Sequence, residues 1–222
     1  MKKKNTSETI PTNPEPRWPA VVAVLAVGGL SYALPRNLSA GPNWLPAAIV
    51  VALSTPALIS HRMGAYKLAH VLAWTVLVIV TIAMLISLGL LVAGLPARKE
   101  TPLELLVSAA CLWSSNLLIF ASWYWRLDAG GPHQRDLRGA HTDGAFLFPQ
   151  MMLDPELRRE MGEQDWRPGF VDYLFLAFNT STAFSPTDVP VLSRWAKVLM
   201  MTQASISLTT LAILGARAVN IL

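Results

Sequence analysis

Long apolar runs broken by short polar or proline-containing stretches set the pattern of this chain. Five of them lie at residues 18–34, 44–60, 68–95, 103–125 and 195–222. A helix that crosses a bilayer needs roughly 17–25 mainly apolar residues. The pattern therefore predicts an all-α membrane protein with about five transmembrane helices. The first two runs are near the minimum length; the third and fifth exceed it, which predicts tilt or projection. Trp18, Trp44, Trp123, Tyr124, Trp125 and Trp195 fall at run ends, where amphipathic rings favour the headgroup level. A sixth run, Phe170–Thr182, holds only 13 residues. As a helix it measures about 20 Å, too short for a hydrocarbon core of roughly 30 Å. It predicts a re-entrant half-helix, followed by irregular backbone that must be buried in protein or line a wet cavity.

Composition agrees with that class. The 222 residues are 53% hydrophobic and 14% charged, where soluble domains carry about a quarter charged residues. The single cysteine, Cys111, excludes an intramolecular disulfide and a cysteine-built zinc site. Its apolar run predicts a buried, inert thiol. Residues 1–17 are polar and proline-bearing and read as a disordered tail. The lead is long and the cleavage pattern near Ala40 poor, so a cleaved signal is not expected. The chain then divides into a three-helix membrane region, 18–100, and a second unit, 101–222. Orientation follows from the basic residues. With a cytoplasmic N-terminus and a re-entrant sixth run, 14 of the 18 lysines and arginines lie inside. That bias predicts a multi-pass plasma (inner) membrane protein with the N-terminus and the 126–169 loop in the cytoplasm.

Local chemistry is sparse. "TPLE" places Thr101 at a helix cap, Pro102 first in the helix and Glu104 three residues on, a capping box. In the 126–169 loop, "RLDAGGP" reads as a tight turn, "FLFP" as a dip into the membrane interface, and "DPELRREMGEQDW" as a surface helix capped by Asp154. His133, Asp136, His141 and Asp143 are conceivable metal ligands, but their spacing matches no metal signature. No nucleotide loop, nucleophile elbow or zinc-protease motif occurs. Hence no catalytic residue, metal or cofactor is nominated. The expected partner is the lipid bilayer, with no nucleic acid. Asn116, beside Ser114 and Ser115, sits mid-run in the fourth segment and needs a partner. Gln203, Ser207 and Thr210 share one face of the last segment and are natural ones. They line either an aqueous path or a packed interface joined by interhelical hydrogen bonds.

Two resemblances follow. "WYWRLDAGGP", "FLFPQM", "FVDYLFLAFNTSTAFSPTD" and "LSRWAKVLMMTQASISLTTLAILGARAVNIL" resemble an uncharacterised family of bacterial integral membrane proteins, which implies no activity. Residues 101–222 are also similar in layout to the pore domain of potassium channels. The resemblance casts 103–125 as outer helix, 126–169 as loop, 170–182 as pore helix, 183–192 as filter-like turn and 193–222 as inner helix. It implies a candidate ion path through Asn179, Thr180, Ser181, Thr182, Ala183, Phe184, Ser185 and Asp188, and a homo-oligomer, a tetramer if channel-like. Ala183 and Ser185 stand where the channel family has glycines, and Phe184 where it has tyrosine. A Cβ in a left-handed conformation costs about 1–2 kcal/mol, so potassium selectivity is not expected. "SPTD" is also a capping pattern that gives Asp188 a structural use. Three functions stay open: a weakly selective cation pathway, a structural or accessory membrane protein without transport, and a membrane enzyme using the 126–169 loop.

Overall fold

The computed structural model describes residues 15–39, 41–95, 101–139, 141–182 and 188–219. Eight α-helices follow in order: α1 (Trp18–Tyr32), α2 (Trp44–Arg62), α3 (Tyr66–Gly94), α4 (Pro102–Leu127), α5 (Pro132–Arg138), α6 (Pro155–Glu160), α7 (Phe170–Thr182) and α8 (Arg194–Val219). Among the described residues the only β pairing is an isolated antiparallel bridge, Phe146–Val191.

Among the described residues four helices, α2, α3, α4 and α8, are long and apolar enough to cross a membrane. Five crossing runs were expected. The difference is α1, whose helix closes at Tyr32 after 15 residues, ahead of Pro35. That is about 22 Å of helix.

The predicted capping box starts α4. The Thr101 hydroxyl accepts from the Glu104 N–H at 3.3 Å, and the Thr101 N–H donates to the Glu104 carboxylate at 2.8 Å. Two of the orphan donors of the first turn are thereby satisfied. α4 is the centre of the bundle and packs against α1, α3, α7 and α8, while α2 lies on α1 and α3.

Contacts at the helix ends fix which ends lie together. Arg17, just before α1, donates to Asp136 of α5 at 3.0 Å, and its guanidinium lies 2.8 Å from His61 near the end of α2. Tyr66, opening α3, stacks on His133 of α5 at 5.1 Å between centroids. The start of α1, the end of α2, the start of α3 and the end of α4 therefore share one end of the bundle.

α7 begins and the chain returns at that same end. Phe170 packs edge-on against Trp125, 5.9 Å between centroids. Past α7, the Leu147 N–H donates to Pro190 O at 3.0 Å and the Leu192 N–H to Ala145 O at 2.8 Å. Both strands of this short pairing belong to the loop end.

The expected dip of "FLFP" into the lipid interface is corrected. Phe146 and Phe148 are buried inside the protein. They meet Tyr124 and Tyr173 edge-on, each at 5.3 Å. Such pairs contribute about 0.5–1.5 kcal/mol each beyond area burial. A polar membrane-surface loop has too little apolar body to hold itself, so its aromatics anchor it to α4 and α7. α6 forms where expected, but Asp154 makes no side-chain cap bond.

Candidate functional site

Two polar networks are built into this bundle. The first joins α4, α7 and α8. Gln203 is 0% exposed, and its amide nitrogen donates to Ala177 O and to the Ser181 hydroxyl, both at 2.8 Å. Its carbonyl oxygen accepts from the Tyr124 hydroxyl at 2.5 Å. Asn116, also 0% exposed, donates to the Ser207 hydroxyl at 2.7 Å and to Gln203 O at 3.3 Å. Thr210 is buried and returns its hydroxyl to Ile206 O and Ser207 O. The expected partnership of Asn116 with the α8 stripe is thus formed, at Ser207. In an apolar surround such groups must find partners within the protein.

The filter-like candidates fall differently. Asn179, Thr180, Ser181 and Thr182 are the last residues of α7. Thr180 and Thr182 donate to carbonyls of their own helix, Leu176 O at 2.8 Å and Phe178 O at 2.9 Å, and Ser181 serves Gln203. Asp188 is exposed. Ala183, Phe184 and Ser185, and with them the capping reading of "SPTD", lie outside the described residues.

The second network ties the N-terminal approach to the loop. Asp128 is 0% exposed at the end of α4. Its Oδ1 accepts from the Ala145 N–H at 2.5 Å and its Oδ2 from the Tyr173 hydroxyl at 2.7 Å, with His141 Nε2 at 3.0 Å from Oδ2. Arg135, 5% exposed, donates to Trp125 O at 2.9 Å and Asp128 O at 2.8 Å, which satisfies carbonyls that α4 leaves open at its C-terminus. Its other edge holds Glu15 at 2.9 Å. Glu15 also accepts from the Trp125 indole N–H, and its own N–H donates to Asp136 at 3.0 Å. Burial pushes the Glu15 carboxyl above the usual carboxylate range, with Arg135 opposing that shift.

The turn that allows this geometry is "DAGG". Ala129, Gly130 and Gly131 all have positive φ, at 49°, 78° and 86°. A Cβ on Gly131 would sit 2.6 Å from Arg126 O, so only glycine fits there.

This second network was only partly legible in the sequence. The tail was expected to extend to residue 17, but Glu15 and Arg17 are held by ion pairs. The four conceivable metal ligands disperse: Asp136 to Arg17, His141 to Asp128, His133 onto Tyr66, and Asp143 out to solvent. Among the described residues no group of three His, Cys, Asp or Glu side chains is placed to hold a metal. The available signal was the excess of charged residues around "WYWRLDAGGPHQRD" in an otherwise apolar chain.

No family model, curated protein or solved structure matches this chain.

Proposed function

We propose that this is an accessory or ligand-binding inner-membrane protein whose pore-loop-like half serves packing rather than conduction. In this reading α1 to α4 and α8 cross the membrane, α7 re-enters, and the N-terminus and the 126–169 loop are cytoplasmic. The carrying observation is the fate of the α8 polar stripe. Gln203, Ser207 and Thr210, with Asn116, are 0–1% exposed and hydrogen-bonded within one chain. Gln203 and the Asn116–Ser207 pair join helices, the commoner use of such residues in membrane bundles, while Thr210 bonds back onto α8. Re-entry of α7 is supported by its 13-residue length and by the return of residues 190–192 to the loop.

A second reading, a weakly selective cation pathway in a tetramer, is favoured by one feature. Thr202, Ser205 and Thr209 form an exposed hydroxyl face on α8. Cysteine accessibility separates the two readings. In a Cys111→Ala background, Ser207→Cys and Ser205→Cys are treated with a water-soluble thiol reagent in lipid vesicles. The packing reading expects neither to react. Rapid reaction at Ser205→Cys would favour an aqueous α8 face, and reaction at Ser207→Cys would overturn the sealed stripe.

A further inference from the structure

A cavity of about 700 Å³ opens between α1, α2, α3 and the end of α4, at the end of the bundle that carries the loop. Pockets of roughly 300–1,000 Å³ are the ordinary size for small-molecule ligands. Its cationic and imidazole lining is Arg17, Lys67 and Arg126, with His61, His70 and His133, beside the neutral polar Ser54, Tyr66 and Gln134. Among the described residues no aspartate or glutamate lines it. Its remaining walls are largely apolar, with Val24, Leu58 and Val76 among them.

The cations are unequally compensated. Arg17 is paired with Asp136 at 3.0 Å. Among the described residues, neither Lys67 nor Arg126 has a carboxylate within ion-pair distance. The Arg126 Nε–H and the Trp74 indole N–H, both on lining residues, are buried without an acceptor. Buried charges and donors are costly unless something supplies the missing acceptor. The Arg126 guanidinium lies over the Trp125 ring at 5.4 Å and Lys67 is exposed; neither charge is neutralised by a carboxylate among the described residues.

We infer that this cavity binds an anionic membrane phospholipid, its phosphate held between Arg126 and Lys67 and its acyl chain along the apolar wall of α1, α2 and α3. Guanidinium forks match phosphate oxygens in a bidentate manner. Basic pockets between membrane helices on the cytoplasmic side are the recurrent setting for lipid headgroups. The inference rests on the membrane reading but not on whether the α8 stripe conducts. A failed lipid assay and a positive ion flux are therefore separate results.

The test uses the full-length protein, purified and delipidated in detergent, with lipid binding read by native mass spectrometry and by thermal shift. The probes are phosphatidic acid, phosphatidylcholine, oleate and inorganic phosphate. Phosphatidic acid is expected to bind about tenfold or more tightly than phosphatidylcholine, the scale of one charged hydrogen bond. Arg126→Gln with Lys67→Gln should erase that preference while leaving the lipid-free melting temperature near that of the parent. Ala57→Trp, which fills the apolar wall without touching charge, should weaken phosphatidic acid binding and keeps the test open should the charge variant fold poorly. Equal binding of the two phospholipids would overturn the inference, as would phosphatidic acid binding undiminished in Ala57→Trp or a preference retained in a folded charge variant. Binding of oleate or inorganic phosphate as tight as that of phosphatidic acid would overturn the phospholipid assignment.

Discussion

Replacing Gln203 by leucine tests the α4–α7–α8 network most sharply. The side chain is 0% exposed, and leucine approximates its volume. The substitution removes three hydrogen bonds: two from the amide nitrogen, to Ala177 O and Ser181, and one from Tyr124 to the carbonyl. Side-chain hydrogen bonds between membrane helices average about 0.6 kcal/mol, with a maximum near 1.7. Three of them give about 2–5 kcal/mol. The upper part of that range is favoured because the Tyr124 hydroxyl, itself buried, is left without its acceptor. The measurement is equilibrium unfolding in mixed micelles, followed by tryptophan fluorescence. Tyr124→Phe in the same background should recover part of the loss, because it removes the orphaned hydroxyl; the two changes should be non-additive by about 1 kcal/mol. Thr209→Val is the control. Its hydroxyl bonds only to Ser205 O on an exposed face, so its effect should stay within about 0.5 kcal/mol. A Gln203→Leu protein as stable as the parent, or additive with Tyr124→Phe, would refute the claim that these groups hold the three helices together.

Three further outcomes follow from the second network and the topology. Arg135→Met strips Glu15 of its buried counter-ion and should cost about 3–5 kcal/mol at neutral pH, read by the same unfolding titration and eased by adding Glu15→Gln. The raised Glu15 pKa means the folded state holds the extra proton. Its contribution is therefore fully present below the usual carboxylate range of about 4 and is lost as pH climbs through the raised folded value. The stability difference between parent and Glu15→Gln should fall across that window and be flat above it; a difference that rises with pH would contradict the assignment. In a Cys111→Ala background, Asp143→Cys, at a side chain 93% exposed, should resist an impermeant thiol reagent in intact cells and react after lysis; labelling of intact cells would reverse the orientation.

Much of the helix plan was legible because apolar length and capping are local properties. The run limits anticipated α2, α3, α4 and α8 to within a few residues, and "TPLE" announced the α4 cap. Asn116 could be paired with α8 because a mid-membrane amide has few alternatives and the stripe of Gln203, Ser207 and Thr210 has a helical period. The ion pairs Arg135–Glu15 and Arg17–Asp136 were not legible. Their partners lie 120 and 119 residues apart and carry no periodic signal. Phe146 and Phe148 look the same in sequence whether they face lipid or Tyr124 and Tyr173, since only the folded loop decides which apolar medium is nearer. The shortness of α1 was also hidden, because the run to Leu34 stays apolar after the helix has closed.

In the function proposed above, the pore-like layout of α4, α7 and α8 is a sealed packing unit. Potassium and sodium flux into liposomes containing the purified, demonstrably folded protein tests it directly. A sealed unit gives flux no greater than in protein-free liposomes, for the parent and for Asp188→Asn alike. Cation flux well above that background, diminished by Asp188→Asn, would contradict it.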